Sequence, residues 1–353
     1  MMRILILGGT GAMGVHVSEL LAEAGHEVVV TSRRARVSDI PGVSYAKGNA
    51  KETGFLSGLL TNQWDAIIDF MVWSTDEFKA RASGFLNSTS QYVFTSSYRV
   101  YADSPVITED SPRLLDVIGN PEYLATDEYA LAKARCENML FDSGKSNWTI
   151  VRPAITYDGT GRFQLTVHEA DAWLWRALRG IPVPVPQVML TKQATMTWGG
   201  DVARMIALLV GNPKAMGEAF TVSTSEHMTW KQIVGIYQTV VPTLDVRDCD
   251  MAGFERAHGA VWQIRYDRMY NRVADNTKVL NATGLRQTQL ATLPDGLTSQ
   301  LKQYLSSGKQ PTMNGIGRQA RFDRLTGGTP TLKYAAANGP TTLAKYLIRR
   351  YIK

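Results

Sequence analysis

The chain has 353 residues, 44% of them hydrophobic, and a formal net charge of +6. That length can bury one large or two medium cores, while only two cysteines, Cys136 and Cys249, exclude a disulfide framework or a cysteine metal cluster. No apolar run reaches the ~20 residues of a membrane span, and Met1 to Leu7 meets glycine too soon to be a signal-peptide core, so a cytoplasmic protein is expected.

Arg3 to Leu7 is a short, nearly all-apolar run that ends in Gly8-Gly9-Thr10-Gly11-Ala12-Met13-Gly14. A helical pattern follows through Val15, Val17, Leu20 and Leu21 to Gly25, and Glu27 to Thr31 then reads as a second buried strand. This is a strand, a tight turn, a helix and a crossover to a second strand. Further apolar runs at Val43 to Ala46, Ala66 to Phe70, Gln91 to Thr95 and Trp148 to Val151 alternate with helical patterns. Such alternation predicts an α/β fold of Rossmann type, a doubly wound parallel sheet covered on both faces.

A glycine turn between strand and helix lets backbone approach a pyrophosphate, and the helix N-terminus adds free N–H donors. Gly8, Gly11 and Gly14 have the positions for this. The second strand runs into Thr31-Ser32-Arg33-Arg34, without the acid that would bind a ribose 2′-hydroxyl of NAD. Ser32 can donate to a 2′-phosphate and Arg33 or Arg34 can pair with it, which favours NADP, with NAD as the alternative.

Tyr129 and Lys133 lie four residues apart in a helical stretch, so an ammonium can sit beside a phenol and equip it as a proton shuttle. After Arg152 the alternation stops. Ile181 to Pro186 is too rich in proline for a helix interior, a helix is predicted at Asp201 to Val210, and a strand at Ala219 to Val222. The expected organisation is a dinucleotide-binding domain of residues 1–158 plus about 189–225, and a smaller discontinuous lobe of about 159–188 plus 226–305. No internal repeat is present.

From Ser306 to Lys353 nine Lys/Arg face one acid, a net +8, so the rest of the chain carries +6 less +8, or −2. Basicity therefore belongs to a C-terminal extension, with Gln310 to Pro340 expected to be irregular and Leu343 to Lys353 an amphipathic helix. Such a helix can lie in an anionic membrane interface, though docking on the body or a second subunit is the stronger expectation. A nearly neutral body argues against a nucleic-acid-binding core.

The ordered series resembles the extended short-chain dehydrogenases/reductases, the NAD-dependent epimerase/dehydratase family. Its members here are the glycine turn, Gly48-Asn49-Ala50, Tyr92 to Ser97 with Val100-Tyr101, Tyr129 with Lys133, Arg152-Pro153 with Tyr157, Asp201-Val202-Ala203, and Asp275 to Lys278 before Leu280 and Gly284. The resemblance implies that Ser97 hydrogen-bonds the reacting hydroxyl or carbonyl, Tyr129 transfers its proton, and Lys133 holds the nicotinamide ribose. It further implies cofactor contacts from Gly8, Thr10, Gly11, Ala12, Met13, Gly14, Ser32, Arg33, Arg34, Asn49, Ala50, Phe70, Tyr129, Lys133 and Pro153. Substrate contacts are implied for Ser97, Tyr98, Tyr157 and Arg272, and a homodimer is implied for the assembly.

Departures from the family pattern narrow the chemistry. Ser97 is followed by Tyr98 and Arg99 rather than the Asp-Glu pair of hexose 4,6-dehydratases, and Ile155 replaces an Asn that often anchors substrate. A nucleotide sugar is the implied substrate, with Arg265, Arg268 and Arg272 as a basic cluster for its pyrophosphate. Trp173, Trp175 and Trp230 can stack on a base, although packing of the lobe is the commoner fate of such residues. Three readings follow: an NADPH-dependent reductase of a keto sugar, a nucleotide-sugar epimerase, and, from another class, a non-catalytic nucleic-acid-binding protein on the same fold.

Overall fold

The computed structural model describes residues 1–352 as two compact units. The first comprises Met1–Thr156, Thr195–Glu226 and Val273–Ala291, and the second Tyr157–Ala194, His227–Arg272 and Thr292–Lys353.

The first unit is built on a seven-stranded parallel sheet: β1 (Arg3–Leu7), β2 (Glu27–Ser32), β3 (Val43–Lys47), β4 (Trp64–Asp69), β5 (Thr89–Thr95), β6 (Trp148–Val151) and β7 (Glu218–Phe220). Their order is β7-β6-β5-β4-β1-β2-β3, with Ile4 in register with both Val28 of β2 and Ala66 of β4. The order reverses at β1, so the crevice beyond the ends of β1 and β4 is the topological switch point where such sheets bind ligands. The expected doubly wound sheet is present.

Alternating residues of one strand enter opposite cores, as the pleat requires. Ile4, Ile6, Val28, Val30, Ala66 and Ile68 face helices α1 (Gly14–Glu23) and α3 (Gly199–Leu209), whose Val17, Leu21, Val202 and Ile206 fill that side. Leu5, Leu7, Ile67, Tyr92 and Phe94 face Phe78, Phe85 and the Cys136 and Leu140 side chains of α2 (Tyr129–Phe141). Burial on both faces is why these strands read as unbroken apolar runs.

Two expectations need correction. The segment 273–291, assigned by sequence to the smaller lobe, belongs to the first unit. Its Val279, Leu285 and Leu290 join the core beside α3, and the Ala291 N–H donates to Asp201 at 2.7 Å. A polar, strand-poor segment gave no signal of that return.

The second correction concerns the extension. Residues 310–340 are not irregular: helices Ile316–Thr326, Leu332–Ala337 and Pro340–Leu347 form there, and Ile316, Ala320, Ala335 and Tyr346 make a small apolar core. Gly315, Gly327 and Gly339, at φ 61°, 81° and 91°, punctuate these helices rather than dissolve them. The extension is also not a separate module, since Asp323 pairs with Arg176 at 3.0 Å and both are fully buried within the second unit. Beyond Tyr346, Leu347, Ile348, Tyr351 and Ile352 are exposed. No helix among the described residues is long and apolar enough to cross a membrane.

The second unit closes over aromatic packing. Trp173 stacks on Tyr237 at 4.5 Å between ring centroids, and Trp175 and Trp230 are buried too. The proline-rich segment supplies a two-residue strand, Val183–Pro184, paired with Val246–Arg247.

Candidate active site

The glycine turn leaves the end of β1 with Gly8 at φ +69°, a conformation that a side chain resists. Its N–H donates to Thr31 Oγ1 at 3.0 Å, which ties the turn to the end of β2. Gly14 lies against the Gly9 backbone, where an added Cβ would sit 2.5 Å away, and Gly9 is itself enclosed by Ile6 and Val30. Gly11 differs, because an added Cβ there would meet nothing within 4 Å. No side chain caps α1 and no acid occupies its first turn, so its N-terminal dipole is left for an anion. Thr10 and Gly11 are exposed beside it, while Ala12 and Met13 are half-buried.

These differences give a paired prediction. Gly11→Ala is expected to leave unfolding free energy within about 0.5 kcal/mol while weakening dinucleotide binding, and Gly14→Ala is expected to cost about 1–3 kcal/mol by overpacking. Urea titration and cofactor titration of the two variants check both halves.

At the end of β2, Ser32 is buried and accepts the Arg34 N–H at 3.3 Å, while the Arg33 and Arg34 side chains are exposed. Asn49 follows β3 half-buried, with its carbonyl oxygen taken by the Lys51 N–H, and Ala50 is buried in the core. Phe70 continues β4, bonded through its N–H to the Leu7 carbonyl, so it flanks the switch point.

Ser97 follows the end of β5, buried, with Oγ accepting the Arg99 N–H at 3.2 Å and its own proton still free to donate. Tyr98 is buried beside it and bonds the Pro153 carbonyl through its backbone N–H. Tyr129 opens α2, half-exposed, and Lys133 lies one turn on, buried, with Nζ 5.9 Å from the Tyr129 ring centroid. Lys133 Nζ donates to the carbonyls of Thr95 at 2.6 Å and Met71 at 3.1 Å. Two of its three donors are thereby fixed by the ends of β5 and β4, and one remains for a ligand.

Three features escaped the sequence. Asp69, fully buried at the end of β4, accepts from Tyr92 at 2.6 Å, Trp73 at 2.7 Å and the Met71 N–H at 2.8 Å. Burial pushes its carboxyl above the ordinary range, against the pull of those bonds and of nearby Lys133. Asp69 thus holds the N–H of Met71, the residue whose carbonyl receives Lys133. An acid after three apolar residues, Ala66-Ile67-Ile68, was the available signal. Next, Glu128 caps α2 through Ala130 N at 2.8 Å and pairs with Arg99 at 2.5 Å, and Arg99 lies 5.2 Å over the Tyr129 ring. Finally, Arg152 meets buried Glu137 with two 2.8 Å bonds, a structural pair that locks α2 to the end of β6.

In the second unit each arginine of the proposed pyrophosphate cluster already has a carboxylate partner. Arg265 pairs with Glu255, Arg268 and Arg272 pair with Asp267, and Arg272 is buried. Tyr157 is buried as well, with its hydroxyl packed where Gly296 lacks a side chain. Ile155, in the first unit, is a core residue. Among the described residues no group of three His, Cys, Asp or Glu could hold a metal ion.

The sequence model of the NAD dependent epimerase/dehydratase family matches residues 4–223, well over half of the chain. The chain belongs to this family. The matched span contains the glycine turn, Ser97, Tyr129 and Lys133, and excludes Arg265, Arg268, Arg272 and the C-terminal helices. Among curated proteins it is 26% identical over 247 residues to the chloroplast stem-loop binding protein of 41 kDa b of Arabidopsis thaliana, covering 65% of this chain. That match spans 60% of the relative's own length.

Solved structures share the fold. A UDP-glucose-4-epimerase from Stenotrophomonas maltophila, crystallised with NAD and formylated UDP-arabinopyranose, superposes with a TM-score of 0.67 at 14% identity, over 87% of this chain and 99% of that one. A UDP-N-acetylglucosamine 4-epimerase from Methanobrevibacter ruminantium, in complex with UDP-N-acetylmuramic acid, gives 0.66 at 14% identity over the same shares. Pal from Bacillus thuringiensis gives 0.65 at 18%, over 87% and 100%.

Proposed function

We propose that this family member is an NADP(H)-dependent reductase of a keto group on a nucleotide-activated sugar. The observation that carries the reading is Lys133, held one helical turn from Tyr129 by the Thr95 and Met71 carbonyls with a donor to spare. A bound nicotinamide supplies hydride to the carbonyl carbon, and the protein must supply a proton to its oxygen. Tyr129 hands over its phenolic proton, Ser97 donates a hydrogen bond to the same oxygen, and Lys133 holds the nicotinamide ribose. The carbonyl thus gains one hydride and one proton and becomes an alcohol.

The choice of NADP rests on exposed Arg33 and Arg34 beside Ser32, with no acid at the end of β2 to repel a 2′-phosphate. The nucleotide-sugar class rests on the family and on the ligands named for its crystallised members. Epimerisation, with retained cofactor at one carbon, needs the same Ser97, Tyr129 and Lys133 and is the alternative. The test follows nicotinamide absorbance with a panel of nucleotide sugars and their 4-keto forms. NADPH is expected to be consumed faster than NADH, and Arg33→Gln with Arg34→Gln is expected to narrow that ratio by about tenfold or more. An unchanged ratio in the double variant counts against the NADP assignment.

A second reading, nucleic-acid binding without turnover, is favoured by one finding, the likeness to a stem-loop binding protein. Salt-dependent RNA binding that persists in Tyr129→Phe, with no turnover of any nucleotide sugar, would establish it instead.

A further inference from the structure

Within the second unit, helix Met251–His258 and helix Ile316–Thr326 meet over a small apolar cluster of Ala172, Ala257 and Phe322. Beside that cluster lies a cavity of about 280 Å³ whose lining includes Cys249, Asp250, Arg256, Arg321, Arg324 and Leu325. We propose that this cavity binds a phosphate-type anion, either a terminal phosphate or a diphosphate.

The arginines are held in a way that leaves their forks open. Arg321 Nε donates to the Ala257 carbonyl at 2.8 Å and Arg324 Nε to the Arg350 carbonyl at 2.7 Å. Neutral carbonyls thus fix each guanidinium by one nitrogen, and among the described residues neither terminal nitrogen of Arg321 or Arg324 has a partner. Arg256 is exposed and makes no hydrogen bond to the described residues. An open, fixed fork is the geometry that takes phosphate oxygens two at a time.

Charge points the same way. Among the described residues no carboxylate pairs with Arg256, Arg318, Arg321, Arg324, Arg349 or Arg350. Asp323 faces away on the same helix, held by Arg176, Thr331 and Tyr346. Asp250, the one acid in the lining, caps Gly253 N through one oxygen at 2.5 Å and is outnumbered there by three arginines. Burial, then Arg349 and Arg318, pull the Arg321 guanidinium below its ordinary range, so the cations are crowded with no counter-charge of their own. The Cys249 thiol, pushed up to about 12 by burial, Asp248 and Asp250, stays neutral and uncompetitive.

Size is compatible with that ligand. Pockets for whole small-molecule ligands run from about 300 to 1,000 Å³, so a cavity of about 280 Å³ suits a phosphate or diphosphate group rather than a complete nucleotide sugar. Two sources offer that group: a soluble phosphoanion and a phospholipid headgroup. The second would use the exposed Leu347, Ile348, Tyr351 and Ile352 that follow the same helices. The site lies outside the family match and does not depend on the catalytic reading.

The 353-residue chain is titrated with inorganic pyrophosphate by calorimetry, and sedimented with phosphatidylcholine vesicles with and without phosphatidic acid. Arg256→Glu, which breaks no hydrogen bond to the described residues, and Arg321→Gln with Arg324→Gln are expected to weaken binding by about tenfold or more, with the Arg256→Glu melting temperature unchanged. Pyrophosphate binding lost in the variants assigns a soluble anion, and binding only to phosphatidic acid vesicles, lost likewise, assigns a headgroup. Equal binding by parent and variants, or no binding in either arm, overturns the proposal.

Discussion

Replacing Tyr129 with Phe is expected to lower turnover about 10²- to 10⁴-fold, the range for losing a positioned general acid, with cofactor affinity nearly unchanged. The variant is clean because the Tyr129 hydroxyl makes no hydrogen bond to the described residues and the ring is half-exposed, so little stability is lost with it. Arg99 and Lys133 keep their contacts to a Phe ring, which leaves the site's shape intact. The effect belongs in kcat and kcat/KM alike, since the proton is passed only in the transition state. Steady-state rates and cofactor titration of the parent and variant measure both quantities, and a rate within about threefold of the parent would remove Tyr129 from the chemistry.

The largest expected loss of stability comes from Asp323→Ala, at about 3–5 kcal/mol, because it leaves a buried arginine without its counter-charge. Asp323 accepts from Arg176 at 3.0 Å, from Thr331 N and Oγ1 at 2.9 and 2.6 Å, and from Tyr346 at 2.8 Å. Burial already pulls the Arg176 guanidinium below its ordinary range, and Asp323 is what holds it up. Removing the partner therefore undocks the C-terminal helices rather than trimming one contact. Arg176→Met with Asp323→Leu is expected to recover much of the loss, as apolar replacement of buried pairs often does. Urea unfolding measures this, and a loss below about 1 kcal/mol would show that the extension is only loosely attached.

Sequence patterning was most informative where burial is two-sided. Runs such as Ile4 to Leu7 and Ala66 to Ile68 can only be interior strands, so the sheet and its glycine turn were legible. Tyr129 and Lys133 stood out as candidates by their spacing, and Ser97 by resemblance to the family. Partners that decide charge were not. Arg265, Arg268 and Arg272 read as a free basic cluster because Glu255 reaches Arg265 from ten residues away and a single acid, Asp267, serves both its neighbour Arg268 and Arg272, which no spacing rule announces. Asp69 was hidden for a related reason, since its three donors arrive from β5 and the loop after β4. The extension misled through its glycines, which mark the ends of helices whose apolar faces are too short to register.

Hydride delivery to a keto sugar with Tyr129 as the proton donor is tested most directly by isotope transfer. NADPH carrying deuterium at its transferable position is incubated with nucleotide 4-keto sugars, and the products are read by mass spectrometry. Reduction predicts one deuteron retained at the carbinol carbon for each NADPH oxidised, formed about 10²- to 10⁴-fold more slowly with Tyr129→Phe. Product formed from a nucleotide sugar without net cofactor oxidation and without deuterium would contradict that account and assign epimerisation to the same three residues.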